Sequence, residues 1–345
     1  MIPTSVPEAC GWTKLPAHNP LSLLAAKWWG KSPEDVASGT TITLTSSGKE
    51  IQWETTFLDT DGRIFIRQEY EDLYKRLQIC DSSRTDGRVI SGSPGIGKSV
   101  FLLYALVMRL REKKTTVYFS VFQRLFLFFA NEVFEVPSQD FEIYEHLSNF
   151  LPPYRIWSLV DTAAEGGSPP LAITMPDVFF TVHTASPNRH HYGEWTSQHG
   201  GVMLIMNPWS IEELYAGLRL HNRFHDASRV DIAQAFNDCG PCIRDIIFNR
   251  LNPGAFEAQT KATLASPVNA EKLKHLVAHA REIDAMAIGM NGHVSHKLFY
   301  IQRFVPDDPQ PLRPDAAFIV AKTSFIANEL LKTIHNLTLM DAGAL

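Results

Sequence analysis

Eight consecutive residues carry the densest chemistry in this chain: Gly92, Ser93, Pro94, Gly95, Ile96, Gly97, Lys98 and Ser99, with Val100 opening an apolar helical run. Glycines at this spacing let successive backbone N–H groups turn toward one point, and the helix N-terminus behind them adds a partial positive charge. Lys98 then reaches the outer phosphates of a nucleotide, and the Ser99 hydroxyl ligates Mg²⁺. The string G-x-x-x-x-G-K-[ST] arises by chance in roughly one chain per hundred of this length. Its context sharpens it, because residues 88–90 read as the preceding strand and 100–110 as the following helix. The expected ligands are ATP and Mg²⁺. The plainer alternative is a glycine turn capping a helix that carries Lys-Ser.

Such a loop needs a second, metal-side carboxylate on a neighbouring strand. Residues 155–161 form an apolar strand ending in Asp161, about sixty residues downstream. Asp161 is the Mg²⁺-side candidate, acting through water; the competing reading is a turn or cap aspartate. Many ATPases of this type place Glu next, to activate the attacking water, whereas this chain has Thr162. Glu165 serves only if its loop folds back, so hydrolysis is expected to be slow or partner-dependent. A further strand, 178–184, leads into Ser186, Asn188 and Arg189. Ser186 and Asn188 are candidates for γ-phosphate contact and Arg189 for a charge-stabilising finger. They serve equally well as caps for a helix running to Gln198.

Cys239-Gly-Pro-Cys242 spells a dithiol redox tetrapeptide, and a thiol at a helix N-terminus would be its mechanism. Its position between two helices far down the chain argues instead for a helix break, with Pro241 at the first helical position. Cys10 and Cys80 have no histidine at ligand spacing, which argues against zinc.

The elements around these residues alternate. Strands are expected at 88–91, 115–121, 155–161, 178–184 and 202–206, most of them short apolar runs typical of strands buried on both faces. Helices are expected between them at 99–112, 140–150 and 188–198, a βαβ pattern. Residues 124–130 and 132–136 read as an antiparallel hairpin about Asn131. A shorter hairpin is expected from 41–45 and 50–53, and a helix at 67–77. Beyond Asn207-Pro208 the pattern turns helical, at 210–221, 228–237, 243–251 and 270–283, with a strand-like 295–304 and a final helix at 324–334.

Composition agrees with a globular α/β chain: 345 residues, 45% hydrophobic and 20% charged. Lys+Arg 32 against Asp+Glu 37 gives a formal net charge of -5, so a broad cationic nucleic-acid surface is not supported. No apolar run reaches bilayer length, no secretory leader is apparent, and four cysteines are too few for a disulfide scaffold. A soluble intracellular protein is the expectation.

Seven segments in order extend the argument: Ile66-Arg-Gln-Glu-Tyr70, the run from Ser91 to Tyr104, Trp157-Ser-Leu-Val-Asp161, Thr184-Ala-Ser-Pro-Asn188, Glu194-Trp195, Asn207-Pro-Trp-Ser-Ile-Glu-Glu-Leu214 and Cys239-Gly-Pro241. Together they resemble the P-loop NTPase module of Crinkler effectors and retrotransposon hot spot proteins, over about residues 60–335. The resemblance implies a STAND-like or AAA-like core with strand order 5-1-4-3-2 and a C-terminal helical lid. It also implies that Gly240-Pro241 lies against adenine and that Arg244 is a second sensor of the γ-phosphate. Crinkler-type proteins carry an L-x-L-F-L-A-K header and many reach a host nucleus. Here Leu21-Ser-Leu-Leu-Ala-Ala-Lys27 lacks the Phe and the Leu after it, and an ordinary amphipathic helix explains it better. No counterpart of the nuclease or kinase domain that some members add is expected, since 261–310 holds no convincing D…E-x-K cluster.

The expected architecture is therefore a three-layer α/β P-loop NTPase: an attachment at 1–60, the core at 61–208, and a helical lid and extension at 209–345. The expected role is a nucleotide-dependent switch or effector with a protein partner and possible oligomerisation. A non-hydrolysing ATP scaffold is the alternative, and a small-molecule kinase a more distant one.

Overall fold

The computed structural model describes residues 12–32, 36–45, 60–83, 85–136, 154–162, 168–175, 177–186, 195–196, 202–266, 297–304 and 315–343. The expected helices at 140–150, 188–198 and 270–283, and the strand at 50–53, lie wholly or largely outside them.

Five strands build the parallel centre: β4 (Gly87–Ser91), β5 (Thr116–Phe119), β8 (Ile156–Asp161), β9 (Phe179–Thr184) and β10 (Val202–Ile205). β4 lies between β10 and β9, and β8 lies between β9 and β5, all pairs parallel. Every residue of β4, β5, β8 and β9 is buried, as the apolar runs required. The sheet is not parallel throughout. β6 (Leu125–Phe129) and β7 (Glu132–Val136) extend it antiparallel beyond β5, and β1 (Thr13–Lys14) closes that edge. The hairpin turns at Ala130 and Asn131, both with positive φ (48° and 69°), which favours a polar residue such as Asn at the second position.

The amino-terminal segment belongs to the core. α1 (Pro20–Trp28) is capped by Asn19 and buries Leu21, Leu24, Ala25 and Trp28, so three of the apolar residues of the Leu21–Lys27 stretch pack into the core. β2 (Thr41–Thr43) pairs antiparallel with β3 (Arg63–Phe65), a pairing the sequence pattern did not point to. Ile42 of β2, Leu44 just beyond it, and Ile64 and Phe65 of β3 enter the same cluster as α1.

Two helices press on one face of the sheet. α2 (Gln68–Ser82) inserts Tyr70, Leu73, Tyr74 and Leu77, one face at helical spacing, against α3 (Lys98–Arg111). Trp157 of β8 is fully buried between Tyr74 (ring centroids 5.4 Å) and Phe180 (5.2 Å), with the Arg109 guanidinium 4.7 Å above it. Its indole N–H donates to Asp81 at 2.8 Å, and Asp81 also holds Arg155.

The carboxyl-terminal part is not purely helical. α4 (Ile211–Leu218), α5 (Arg229–Cys239), α6 (Ile243–Leu251) and α7 (Ala255–Ala265) are followed by a hairpin of β11 (Phe299–Arg303) and β12 (Ala317–Ala321), then α8 (Ser324–Gly343). The sequence pattern did not point to α7 or β12: α7 is weakly amphipathic and β12 alternates poorly. α4 and α5 each begin with a Ser-anchored capping box, Ser210 with Glu213 and Ser228 with Asp231. The hairpin docks beside β10, where Asp315 accepts from the Ile205 amide at 2.7 Å and forks onto Arg76. Among the described residues no helix is long and apolar enough to cross a membrane.

Trp157→Ala should cost about 3–5 kcal/mol, because it removes a buried indole and strands Asp81 and Arg109 around a cavity. Chemical denaturation of the variant beside wild type measures this; an unchanged midpoint contradicts the packing described.

Candidate phosphate-binding site

β4, β9 and β8 end level with one another: Ile90 and Asp161 both pair with Thr184. The loop after β4 and the carboxylate at the tip of β8 are therefore brought to the same edge, astride β9. This carboxyl edge is where open α/β sheets place their ligands.

The loop has the backbone its glycines allow. Gly92, Gly95 and Gly97 sit at φ 146°, 81° and 102°. A Cβ on Gly92 would meet the Met206 carbonyl oxygen at 2.7 Å, and one on Gly95 would meet Arg244 Cβ at 2.5 Å. Gly97 is the N-cap of α3, and the first amides of that helix have no carbonyl four residues back to bond. Lys98 Nζ folds onto the loop, donating to the carbonyls of Gly92 (2.8 Å) and Ser93 (3.0 Å).

The loop is pinned from outside by residues to which sequence reasoning assigns no role. The fully buried Arg67 donates to the Ile96 carbonyl at 3.1 Å, and Trp209 Nε1 donates to it at 2.9 Å. Tyr70 OH donates to the Gly97 carbonyl at 3.1 Å. The Ile301 amide of β11 donates to Ser93 Oγ at 2.8 Å, which occupies that hydroxyl in structure. Ile66-Arg-Gln-Glu-Tyr70 and Asn207-Pro-Trp stand out as segments of the sequence; only their contacts explain them. Nothing in the sequence points to Ile301.

Asp161 is buried and accepts from Thr184 Oγ1 at 3.1 Å, with the Ser99 hydroxyl close enough to act on its charge. Burial pushes its carboxyl above the usual range, while Ser99, Thr184 and the Lys98 charge pull it back. Lys98 is displaced the other way: burial, reinforced by the Arg244 charge, pushes it down to about 7 against the opposing pull of Asp161. Thr184, not foreseen as a site residue, is the strand-tip hydroxyl that holds the carboxylate.

Of the other candidates, Arg244 on α6 lies against Gly95 and within electrostatic reach of Lys98. Pro241 is near through its carbonyl, which accepts from the Trp209 amide at 3.4 Å. It does not occupy the first helical position: α6 starts at Ile243 with Cys242 as N-cap. Gly240, at φ 79°, breaks the helices, and a Cβ there would meet the Lys322 carbonyl oxygen at 2.5 Å. Cys239 and Cys242 are buried and unjoined, and burial pushes their thiols up to about 12 and about 11, the reverse of a redox-active thiolate. Ser186 is half-buried just beyond β9. Glu165, Asn188 and Arg189 lie outside the described residues.

The arrangement fits a Mg²⁺-bound polyphosphate. A hard cation takes oxygen ligands, and the Ser99 hydroxyl and Asp161 carboxylate are already adjacent. A glycine cradle that any Cβ would obstruct and a lysine held by two carbonyls supply the anion side.

A polyphosphate beside Lys98 restores its proton, so binding above pH 7 should take up about one proton, and affinity should fall by about tenfold per pH unit there. Titration calorimetry in buffers of different ionisation enthalpy at pH 8.5 measures the uptake, which Lys98→Met should abolish. The ligand-free fold should gain stability as pH rises above 7, because the unfolded chain then keeps a proton that the folded one has lost.

No family model matches this chain, and no curated protein matches it. Among solved structures it is similar to a point variant of RuvB from Thermotoga maritima, with 12% identity and a TM-score of 0.32, covering 67% of this chain and 84% of that one. It is also similar to Drosophila ORC bound to DNA, with 10% identity and a TM-score of 0.28, covering 77% and 86%. At these values neither likeness bears on function.

Proposed function

We propose that the chain is an ATP-binding P-loop NTPase whose nucleotide state acts as a switch, with slow hydrolysis. The observation that carries this reading is the single cluster formed by the Gly92–Ser99 loop, Lys98 and the Asp161–Ser99–Thr184 contacts at one sheet edge. The loop amides and Lys98 bind the phosphates, Ser99 and Asp161 hold Mg²⁺, and Arg244 senses the outer phosphate. Bound Mg²⁺ would neutralise charge developing between the β- and γ-phosphates. Arg189 keeps its proposed part as charge-stabilising finger, and Glu165 serves as water activator only if its loop folds back, with Ser186 and Asn188 at the γ-phosphate and Pro241 at the adenine.

The switch has a structural route outward. Arg244 sits on α6 beside Asp245, which is paired with Lys322 between β12 and α8. A change at the outer phosphate would thus reach the carboxyl-terminal hairpin and helix, the surface on which a protein partner is proposed to act. Membership of the Crinkler and retrotransposon hot spot group, with an effector role in a host nucleus, is the family-level form of this proposal and rests on the seven ordered segments. A non-hydrolysing scaffold is the second reading, favoured by Thr162 standing where a glutamate is common.

Lys98→Ala should weaken Mg-ATP binding by at least about tenfold, the loss of a charge-assisted contact, without unfolding the chain. Asp161→Asn should lower the Mg²⁺-dependent part of the affinity and abolish turnover. Wild-type release should fall well below the enzyme median of about 10 per second. Fluorescent-nucleotide binding and phosphate release, each with and without Mg²⁺, check these outcomes. Unchanged affinity in Lys98→Ala sinks the ATP reading, and tight binding with no release from wild type selects the scaffold.

A further inference from the structure

We infer that Thr162, backed by His183, holds the attacking water at the position where a glutamate commonly stands, which makes this a hydrolase that orients its nucleophile without deprotonating it. The inference rests on the ATPase reading above.

Thr162 is the first residue beyond β8, next to Asp161. Its Oγ1 lies 3.0 Å from His183 Nε2 and 3.4 Å from the Thr184 carbonyl oxygen, so it is tied to the two residues that end β9. The register places this tie one step from the Asp161–Thr184 pair. His183 is fully buried, edge-on to Trp195 with ring centroids 6.3 Å apart, in a sheet face otherwise lined by Val89, Ala185 and Trp195. An aliphatic side chain would fill that apolar position without the desolvation cost of an imidazole. The histidine is explained by what it holds.

A hydroxyl has one proton and two lone pairs. With its proton on Nε2, His183 donates to Thr162 Oγ1, while the Thr162 hydroxyl donates to the Thr184 carbonyl. One lone pair remains, fixed in direction at the half-buried end of the strand, and it accepts an O–H of water. In hydrolysis the water oxygen bonds to the γ-phosphorus and the bond to the β–γ bridging oxygen breaks, its electron pair leaving on ADP. The water proton passes to a phosphate oxygen, since a neutral threonine cannot keep it. Orientation is retained, and the general-base factor of about 10²–10⁴ is forgone. Thr162 is the catalytic residue here and His183 a positioning residue behind it.

The test uses the full chain as wild type, Thr162→Ser, Thr162→Val, Thr162→Glu and His183→Gln, in single-turnover phosphate release and in binding of ADP with and without aluminium fluoride. Thr162→Val should lower release by about tenfold or more and lose the same factor in the aluminium fluoride complex, with ATP affinity held within about twofold, the mark of an interaction made only in the transition state. Thr162→Ser should restore wild-type behaviour, His183→Gln should fall between, and Thr162→Glu should accelerate release by about 10²-fold. In the ligand-free protein, the His183 Nε2 resonance should shift in Thr162→Val and not in Thr162→Ser. Thr162→Val equal to wild type in both measurements overturns the assignment, as does Thr162→Glu that binds ATP without gaining turnover. If wild type binds ATP but releases no phosphate, turnover appearing in Thr162→Glu sustains the assignment and its absence overturns it. Failure of wild type to bind ATP through Lys98 removes the ATPase reading itself, and this inference with it.

Discussion

The buried guanidinium of Arg67 holds the candidate site together. It donates to the Ile96 carbonyl in the phosphate loop, to the carbonyls of Asn207 and Pro208 after β10, and to Glu213 in the first turn of α4. Trp209 covers it at 4.6 Å and Tyr70 at 5.6 Å. A loop with three positive-φ glycines has little intrinsic preference for one shape, because glycine gives up the most conformational freedom on folding. The constraint must therefore come from its surroundings. A planar fork with five donors can satisfy several carbonyls and a carboxylate at once, which a lysine cannot. Burying a charge is tolerated only with this degree of pairing.

Around that centre the chain draws together segments far apart in sequence. Glu69 accepts from the Asn207 amide and pairs with Arg303 of β11, while the Arg303 amide donates to the Asn207 side chain. Ile301 binds Ser93, and Lys322 reaches Asp245 beside Arg244. The carboxyl-terminal hairpin is thus part of the wall of the loop rather than an appendage. In energetic terms these buried polar links are costly to leave half-made, so the hairpin and the loop are expected to order together.

The electrostatics of the cluster point the same way. Burial disfavours the charged forms of both Lys98 and Asp161, and each only partly relieves the other. A site that keeps an ammonium and a carboxylate in poor solvation is poised for a ligand bringing opposite charges to both: phosphate for one, a cation for the other.

The strand–glycine loop–helix unit at Gly87–Arg111 was legible in the sequence because its pattern is local: glycines, lysine and serine fall within eight residues, with a strand before and a helix after. The buried parallel strands were legible for a similar reason, since full burial leaves an unbroken apolar run. Asp161 could be named from its place at the end of such a run. What only the tertiary structure decided are relations between distant segments. Arg67, Tyr70 and Trp209 look like ordinary core residues until the fold sets them against the loop carbonyls. Thr184 and His183 gain meaning only from the register of β9 with β8, which no spacing along the chain records. The pairing of Thr41–Thr43 with Arg63–Phe65, and the docking of β11 on Ser93, follow from burial and backbone hydrogen bonding across long separations. Local patterns specify which chemistry is present, whereas long-range packing specifies which groups hold it in place, because side-chain partners are chosen by the fold and not by proximity in the chain.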